Sequence, residues 1–263
     1  FERDVAGMYQ ALLTGSLANV RPALIEAFKA NGCFHVLSIS GLHFSLLGLF
    51  SVGLWTVLLK RSQWLLLHTH VPTLALVLTA PVLLFYTGSA GINIPAVRAL
   101  ITALLVLFAA VLRRQRSFGP LIAAAALIVL ACSPLALFTA SFQLSFAAVL
   151  AINLIYPHLP SFATDRQDSR PRRALALVQS LLLVSVAATL GTLPFMLHHF
   201  NRLSLIGPLA NLVIEPLLCL WALPCGLLAI PFVGVAPGLA VLLFNLGSGG
   251  MRLALWLTEL TAA

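Results

Sequence analysis

The chain has 263 residues, of which 60% are hydrophobic and only 8% charged, with a formal net charge of +8. Soluble domains carry roughly a quarter charged residues, so this composition excludes a water-soluble enzyme or binding module and marks an integral membrane domain. The positive charge is discounted as a nucleic-acid signal at first, because membrane proteins concentrate Lys and Arg in the loops of one side.

In chain order, residues 1–33 read as an extracytoplasmic connector. The chain opens on Phe1 rather than Met and is read as a piece of a longer protein. No basic leader precedes its first apolar run, so no signal peptide is expected. Within the connector, "RPALIEAFKANG" predicts a short amphipathic helix, with Pro22 in its first turn and Asn31-Gly32 as its stop. Leu24, Ala27 and Phe28 share one face, while Arg21, Glu26 and Lys29 are polar. Such a helix either lies on the membrane surface or packs within a connector.

The transmembrane domain, residues 34–263, is predicted as an all-α polytopic bundle of eight spans, with seven or nine as alternatives. The spans are 34–59, 64–87, 93–112, 118–134, 137–157, 174–197, 204–229 and 236–258. Pro194, Pro208 and Pro216 predict a broken or re-entrant segment between residues 193 and 216. Lys60, Arg61, Arg113, Arg114, Arg116, Arg166, Arg170, Arg172 and Arg173, nine of the fifteen basic residues, fall in the loops after spans one, three and five. Those loops are therefore assigned to the cytoplasm and both termini to the outside. Cys33, Cys132, Cys219 and Cys225 lie in or beside apolar segments without zinc-ligand spacing and are read as packing residues; no metal or other cofactor is called for.

Polar side chains at membrane depth are the informative feature, because they face a bundle interior or water. The stretch "HVLSISGLH" carries His35, Ser38, Ser40 and His43 where a span is expected to begin. A second group is Asn93 and Arg98, a third Gln143, Ser145 and Asn153, and a fourth Thr189, Thr192, Asn201, Arg202, Asn211 and Glu215, with Arg252 apart in the last span. Ser40 and His43 share a face at helical spacing, as do Asn211 and Glu215. Helical rise would set His43 about 12 Å deeper than His35. Gly41, Gly191, Gly207 and the nearby prolines predict close helix approach and unwound backbone. These residues imply a polar internal path, in a channel or a transporter. They also allow a bland reading in which the groups bond across helices, with Ser40 and His43 meeting Gln143 or Asn211.

Four ordered motifs narrow the choice. "FKANGCFHVLSISGLHFSLL", "GINIPAVRAL", "SPLALFTASFQLSFAAVLAI" and "ATLGTLPFMLHHFNRLSLIGPLANLVIEPL" together resemble the ComEC competence family, the bacterial inner-membrane channel for DNA uptake. The resemblance covers about residues 8–230. It departs from the family where "LLTGSLANV" replaces a charged turn. Full-length members also carry an extracytoplasmic OB-fold domain and often a metallo-β-lactamase-like nuclease domain. "HTHVP" does not supply that nuclease's zinc motif, so the resemblance implies the membrane part alone.

What the resemblance implies is a multi-pass domain of the bacterial inner membrane that passes single-stranded DNA inward during natural transformation. Its implied partners are the strand, the lipid bilayer, the OB-fold and nuclease domains of the full-length protein, and a cytoplasmic DNA-translocating ATPase. A polyanion path needs water, hydrogen-bond donors and some positive charge. The path candidates are His35, Ser38, Ser40, His43, Asn93, Arg98, Gln143, Asn211, Glu215 and Arg252. A small-solute transporter and a non-conducting scaffold for an external nuclease are the alternatives. Ser38 and Ser40 near His43 have no acidic third member nearby in sequence, so no enzymatic activity is expected.

Overall fold

The computed structural model describes residues 2–91, 94–112, 118–155, 169–201, 204 and 206–262. No strand occurs among them. An apolar chain that cannot give its peptide groups to water satisfies them within helices, and the element order follows from that. Two short helices, α1 (Glu2–Thr14) and α2 (Pro22–Ala30), lead into α3 (Gly41–Leu59), α4 (Gln63–His68), α5 (Val71–Ser89), α6 (Ile94–Val111) and α7 (Phe118–Cys132). Next come α8 (Ala140–Ile155), α9 (Arg170–Phe200), α10 (Gly207–Glu215), α11 (Leu223–Ala229) and α12 (Pro237–Ala262).

Five helical segments are long and apolar enough to cross a membrane: Gly41–Leu59, Val71–Ser89, Pro171–Phe200, Gly207–Phe232 and Pro237–Thr261. Three shorter apolar helices, Pro95–Val111, Gly119–Cys132 and Ala140–Ile155, occupy the remaining places. Together they fall one for one on the eight apolar runs of the sequence. The chain is an all-α polytopic membrane protein. Consecutive spans alternate in direction: α3 packs on α5 and runs parallel to its other neighbour α6, α8 packs on α9, and α12 on α10 and α11.

The amphipathic helix of the connector is α2. Pro22 is its first residue and Asn31 its C-cap, and Gly32 follows at φ 70°. The amides of Gly32 and Cys33 return to the carbonyls of Lys29 (3.1 Å) and Phe28 (3.0 Å), a Schellman stop that glycine makes inexpensive. Leu24 and Phe28 are buried, and the helix packs on α12. Sequence reasoning missed α1, although Val5, Met8, Tyr9 and Leu12 keep a helical period and are all buried. Tyr9 donates to the carbonyl of Phe244 (3.1 Å), and Tyr86 donates to that of Leu13 (2.9 Å). These bonds seat α1 in the main core, which draws on α1 to α3, α5, α6, α10, the segment after it, α11 and α12.

Three expectations are corrected. The first span does not begin at residue 34. Phe34–Leu37 is a 3-10 turn, Ser38 and Ser40 are extended, and α3 starts at Gly41. Ser40 is its N-cap: its backbone N–H donates to His43 Nδ1 (3.2 Å), and its hydroxyl lies 3.0 Å from the same nitrogen. A cap needs extended backbone at its first residue, so the eight-residue helical rise from His35 to His43 does not exist. Second, an added Cβ at Gly41 would meet nothing within 4 Å, so no element approaches closely there. Third, α9 runs unbroken through Gly191 and Pro194; the break expected between residues 193 and 216 comes at Asn201, in the left-handed conformation at φ 49°, and helix resumes at Gly207. A further irregularity lies later, where Pro216–Ala222 winds as a π-helix between α10 and α11. Pro216 has no N–H to give, which loosens the ladder at that point.

Close approach does occur at Gly191. A methyl there would collide with the side chain of Ala151 on α8 and sit 3.1 Å from the carbonyl oxygen of Ala147. Gly191→Ala is therefore expected to destabilise the α8–α9 pair by about 1–3 kcal/mol, and Ala151→Gly in the same chain to restore most of it. Thermal unfolding in detergent, followed by fluorescence, reads both effects; an unchanged midpoint in the single variant would contradict this packing. His43 is fully buried. His43→Leu should lower the amount of folded protein by removing a cap worth about 1 kcal/mol, as measured by membrane abundance and protease resistance. Normal abundance together with blocked transport would instead return His43 to the wall of a path.

Candidate nucleic-acid path

Because the helices alternate in direction, the starts of α3, α6, α8 and α10 and the ends of α5, α9 and α12 meet at one end of the bundle. Most of the predicted polar residues collect there. The ring contact between Phe44 and Tyr86 (5.6 Å) joins the start of α3 to the end of α5. The bond from Asn31 Nδ2 to the carbonyl of Thr258 (3.0 Å) joins the end of α2 to the end of α12. Lys60 and Arg61 lie at the other end, after α3.

Arg98, in the second turn of α6, reaches across to the first turn of α8. Its Nη1 donates to the carbonyl of Ser141 and to Ser141 Oγ (3.1 Å). Both partners are neutral, and among the described residues no carboxylate meets this guanidinium. The arrangement thus holds an uncompensated cation, half-buried, between two helices. One turn along α8, Gln143 donates from its amide nitrogen to the carbonyl of Leu137 (2.9 Å) and accepts from His199 Nε2 (2.7 Å). That contact fixes the proton of His199 on Nε2 if the ring is neutral, and it ties the 3-10 turn Pro134–Phe138 to the end of α9.

A third contact group lies where the connector meets α9 and α10. Cys33 Sγ donates to Asn211 Oδ1 (3.2 Å), and Asn211 Nδ2 reaches Ser185 Oγ (3.5 Å). Burial and, after it, the charge of Glu215 push the Cys33 thiol up to about 12, so it stays protonated and acts as a donor. Glu215 lies one turn beyond Asn211, half-buried, with no hydrogen bond or ion pair among the described residues. Beside this group, Gly32, Thr189, Thr192, Leu193, Met196, Ser204 and Gly207 line a cavity of about 80 Å³. It is polar on the α9 side, where the hydroxyls of Thr189 and Thr192 bond back to carbonyls one turn earlier.

The structure therefore brings Arg98 together with Ser141, Gln143 with His199, and Asn211 with Cys33 and Ser185. It brings neither Gln143 nor Asn211 to His43. His35 is exposed on the 3-10 turn, its Nδ1 on the carbonyl of Gly32 (3.1 Å), and Ser38 donates to the carbonyl of His35 (2.9 Å). Asn93 and Arg202 lie outside the described residues. Arg252 stands apart, exposed on α12. Sequence reasoning missed His199, whose adjacent His198 and place at a helix end were the available signal, and Arg21. The latter bonds Asp4 of α1 (2.6 Å) and Glu259 of α12 (2.9 Å) and so clamps the two ends of the chain together. Among the described residues no three His, Cys, Asp or Glu side chains group closely enough for a metal ion.

Comparison with known proteins identifies the family. The chain is 28% identical over 242 residues to ComE operon protein 3 of Bacillus subtilis, covering 92% of this chain and 28% of that protein. It is 29% identical over 232 residues to Recombination protein 2 of Haemophilus influenzae, covering 86% and 28%. It is 30% identical over 266 residues to Competence protein ComA of Neisseria gonorrhoeae, covering 98% and 35%. The chain thus spans about a third of the length of these relatives or less. No solved structure matches it. The family model described as Competence protein matches residues 12–263, and the chain belongs to that family.

Proposed function

We propose that this chain is the membrane part of a competence protein and passes single-stranded DNA across the bacterial inner membrane during natural transformation. The observation that carries this reading is membership in the Competence family over nearly the whole chain. The chemistry of the site supports it. A strand with one negative charge per nucleotide needs donors and positive charge without a carboxylate to compete for them. Arg98, held among the described residues by the neutral oxygens of Ser141, offers such a cation. His199 and Gln143 offer a polar pair beside it.

In this reading the motif-rich end of the bundle faces outside, where the strand arrives, and the end with Lys60 and Arg61 faces the cytoplasm. Both chain ends are then outside, next to the OB-fold and nuclease domains expected of the full-length protein, and a DNA-translocating ATPase draws the strand from the cytoplasmic side. The chain itself carries out no covalent chemistry. One observation favours the scaffold alternative for part of the site: Ser40 bonds His43 Nδ1, and Cys33 bonds Asn211, inside the fold. Among the described residues, Arg98 meets no carboxylate and Glu215 meets no hydrogen bond or ion pair.

Two outcomes test this. Arg98→Gln keeps a donor for Ser141 but removes the charge, so membrane abundance should stay normal. Transformation should fall on the order of tenfold or more, the scale of one lost charge-assisted phosphate contact. Arg98→Lys should retain most activity. Full transformation by the Gln variant would remove Arg98 from the path. For topology, Asn19→Cys should react with an impermeant thiol reagent added outside and Lys60→Cys only after the cytoplasmic side is opened, in a chain otherwise free of Cys. Labelling of both from one side would overturn the orientation.

A further inference from the structure

α12 has an exposed face that does not suit lipid. Its buried side is clear: Ala240, Met251, Ala254, Leu255 and Thr258 are all nearly inaccessible. On the opposite side two stripes run in parallel. Leu242, Leu246, Leu253 and Leu260 are exposed and apolar, as a lipid-facing surface requires. Next to them Asn245, Gly249, Arg252 and Trp256 are exposed along a second stripe. Asn245 and Arg252 lie seven residues apart, which places them about 20° apart around the axis and about 10 Å along it, whereas Leu246 is turned about 100° from Asn245.

Arg252 is the residue that needs an explanation. It precedes the end of α12 at Ala262 by ten residues. At helical rise that is about 15 Å, half of the hydrocarbon thickness. A guanidinium facing lipid there is costly and lies too deep to reach the interface comfortably. Among the described residues no hydrogen bond or ion pair meets it. The acid on the same side of the helix, Glu259, is already bound by Arg21 (2.9 Å). The stripe also carries aromatic surface. Trp256 is 53% exposed and Trp221, on the π-helix, 43%. The Trp221 ring lies 3.5 Å from the place of a Cβ at Gly249, and its Nε1 donates to the carbonyl of Leu246 (3.1 Å), which holds it against α12.

A cation and an amide on α12, with Trp256 beside them and Trp221 packed on the same face from the π-helix, make a surface for a nucleic-acid strand, with phosphate on the polar groups and bases stacked on the rings. We propose that this stripe of α12 is a wall of the DNA path, with Arg252 and Asn245 meeting backbone phosphate and Trp221 and Trp256 stacking bases. The inference rests on the transport reading and adds to it that the outer side of α12 lies on the strand's route.

Photo-crosslinking in competent cells tests it, with the intact protein carrying p-azidophenylalanine in place of His35, Asn245 or Leu246 and with labelled donor DNA. DNA adducts are expected at 245 and absent at 246. DNA adducts at 35 with only lipid or only protein adducts at 245 would overturn the α12 wall and leave transport standing. DNA adducts at neither position would overturn both. In parallel, Arg252→Lys should keep transformation, and Arg252→Gln should lower it on the order of tenfold at equal membrane abundance. Unchanged transformation by Arg252→Gln overturns the proposal. If that variant fails to accumulate, the adducts at 245 decide.

Discussion

A charged or hydrogen-bonding side chain inside an apolar bundle has to find an oxygen, a nitrogen or water, because nothing in the hydrocarbon will serve. That constraint organises this molecule. Most of the polar side chains singled out in its motifs are gathered at one end, where the helix starts and ends supply free carbonyls and hydroxyls. Arg98 takes the carbonyl of a first-turn serine, His199 and Gln143 take each other, and Asn211 takes a thiol from the connector. Each of these contacts joins two elements that short loops do not already hold together. The same groups that make the end polar therefore fix its shape.

The connector is part of that arrangement, not a tether. α1 is buried in the main core, and the hydroxyls of Tyr9 and Tyr86 bind backbone carbonyls across the boundary between the connector and the bundle. Arg21 then bridges buried Asp4 and exposed Glu259 at the same seam, and solvent screening makes the outer pair, with Glu259, worth little by itself. Burial of Met8, Leu12 and Phe28 carries the docking energy, and the charges set its register. His43 is buried in the same region, with its Nδ1 committed to the cap of α3.

How much of this the sequence made legible follows from the range of each signal. Hydropathy is a sum over many residues, so all eight apolar segments could be placed from it. The prolines were only partly legible: Pro194 lies within a 31-residue helix, the break comes after it at Asn201, and a second departure from α-geometry begins at Pro216. The first motif was misread in the opposite way. Ser40 and His43 at a separation of three suit a helix face and a helix cap equally well, and only the extended backbone at Ser40 decides between them. α1 escaped notice because Glu2, Arg3 and Asp4 crowd its start and mask the period of Val5, Met8 and Leu12. Arg98 was legible as a residue needing a partner, but the partner was not, because Ser141 is forty-three residues away and unremarkable in type.

The contrast among the ionisable residues is the feature that separates a scaffold from a conduit. A scaffold has reason to pair every charge, since each unpaired one weakens the fold. Here the charges at the seam of the connector are paired: Arg21 with two acids, and Lys29 with Glu26 at 2.7 Å. Among the described residues, those set deeper along the helices are not: Arg98 has neutral oxygens alone, and Arg252 has no hydrogen bond or ion pair. Leaving cations uncompensated at depth while compensating them at the rim is costly for stability alone. It becomes intelligible if a mobile polyanion supplies the missing charge, one phosphate after another, as it passes.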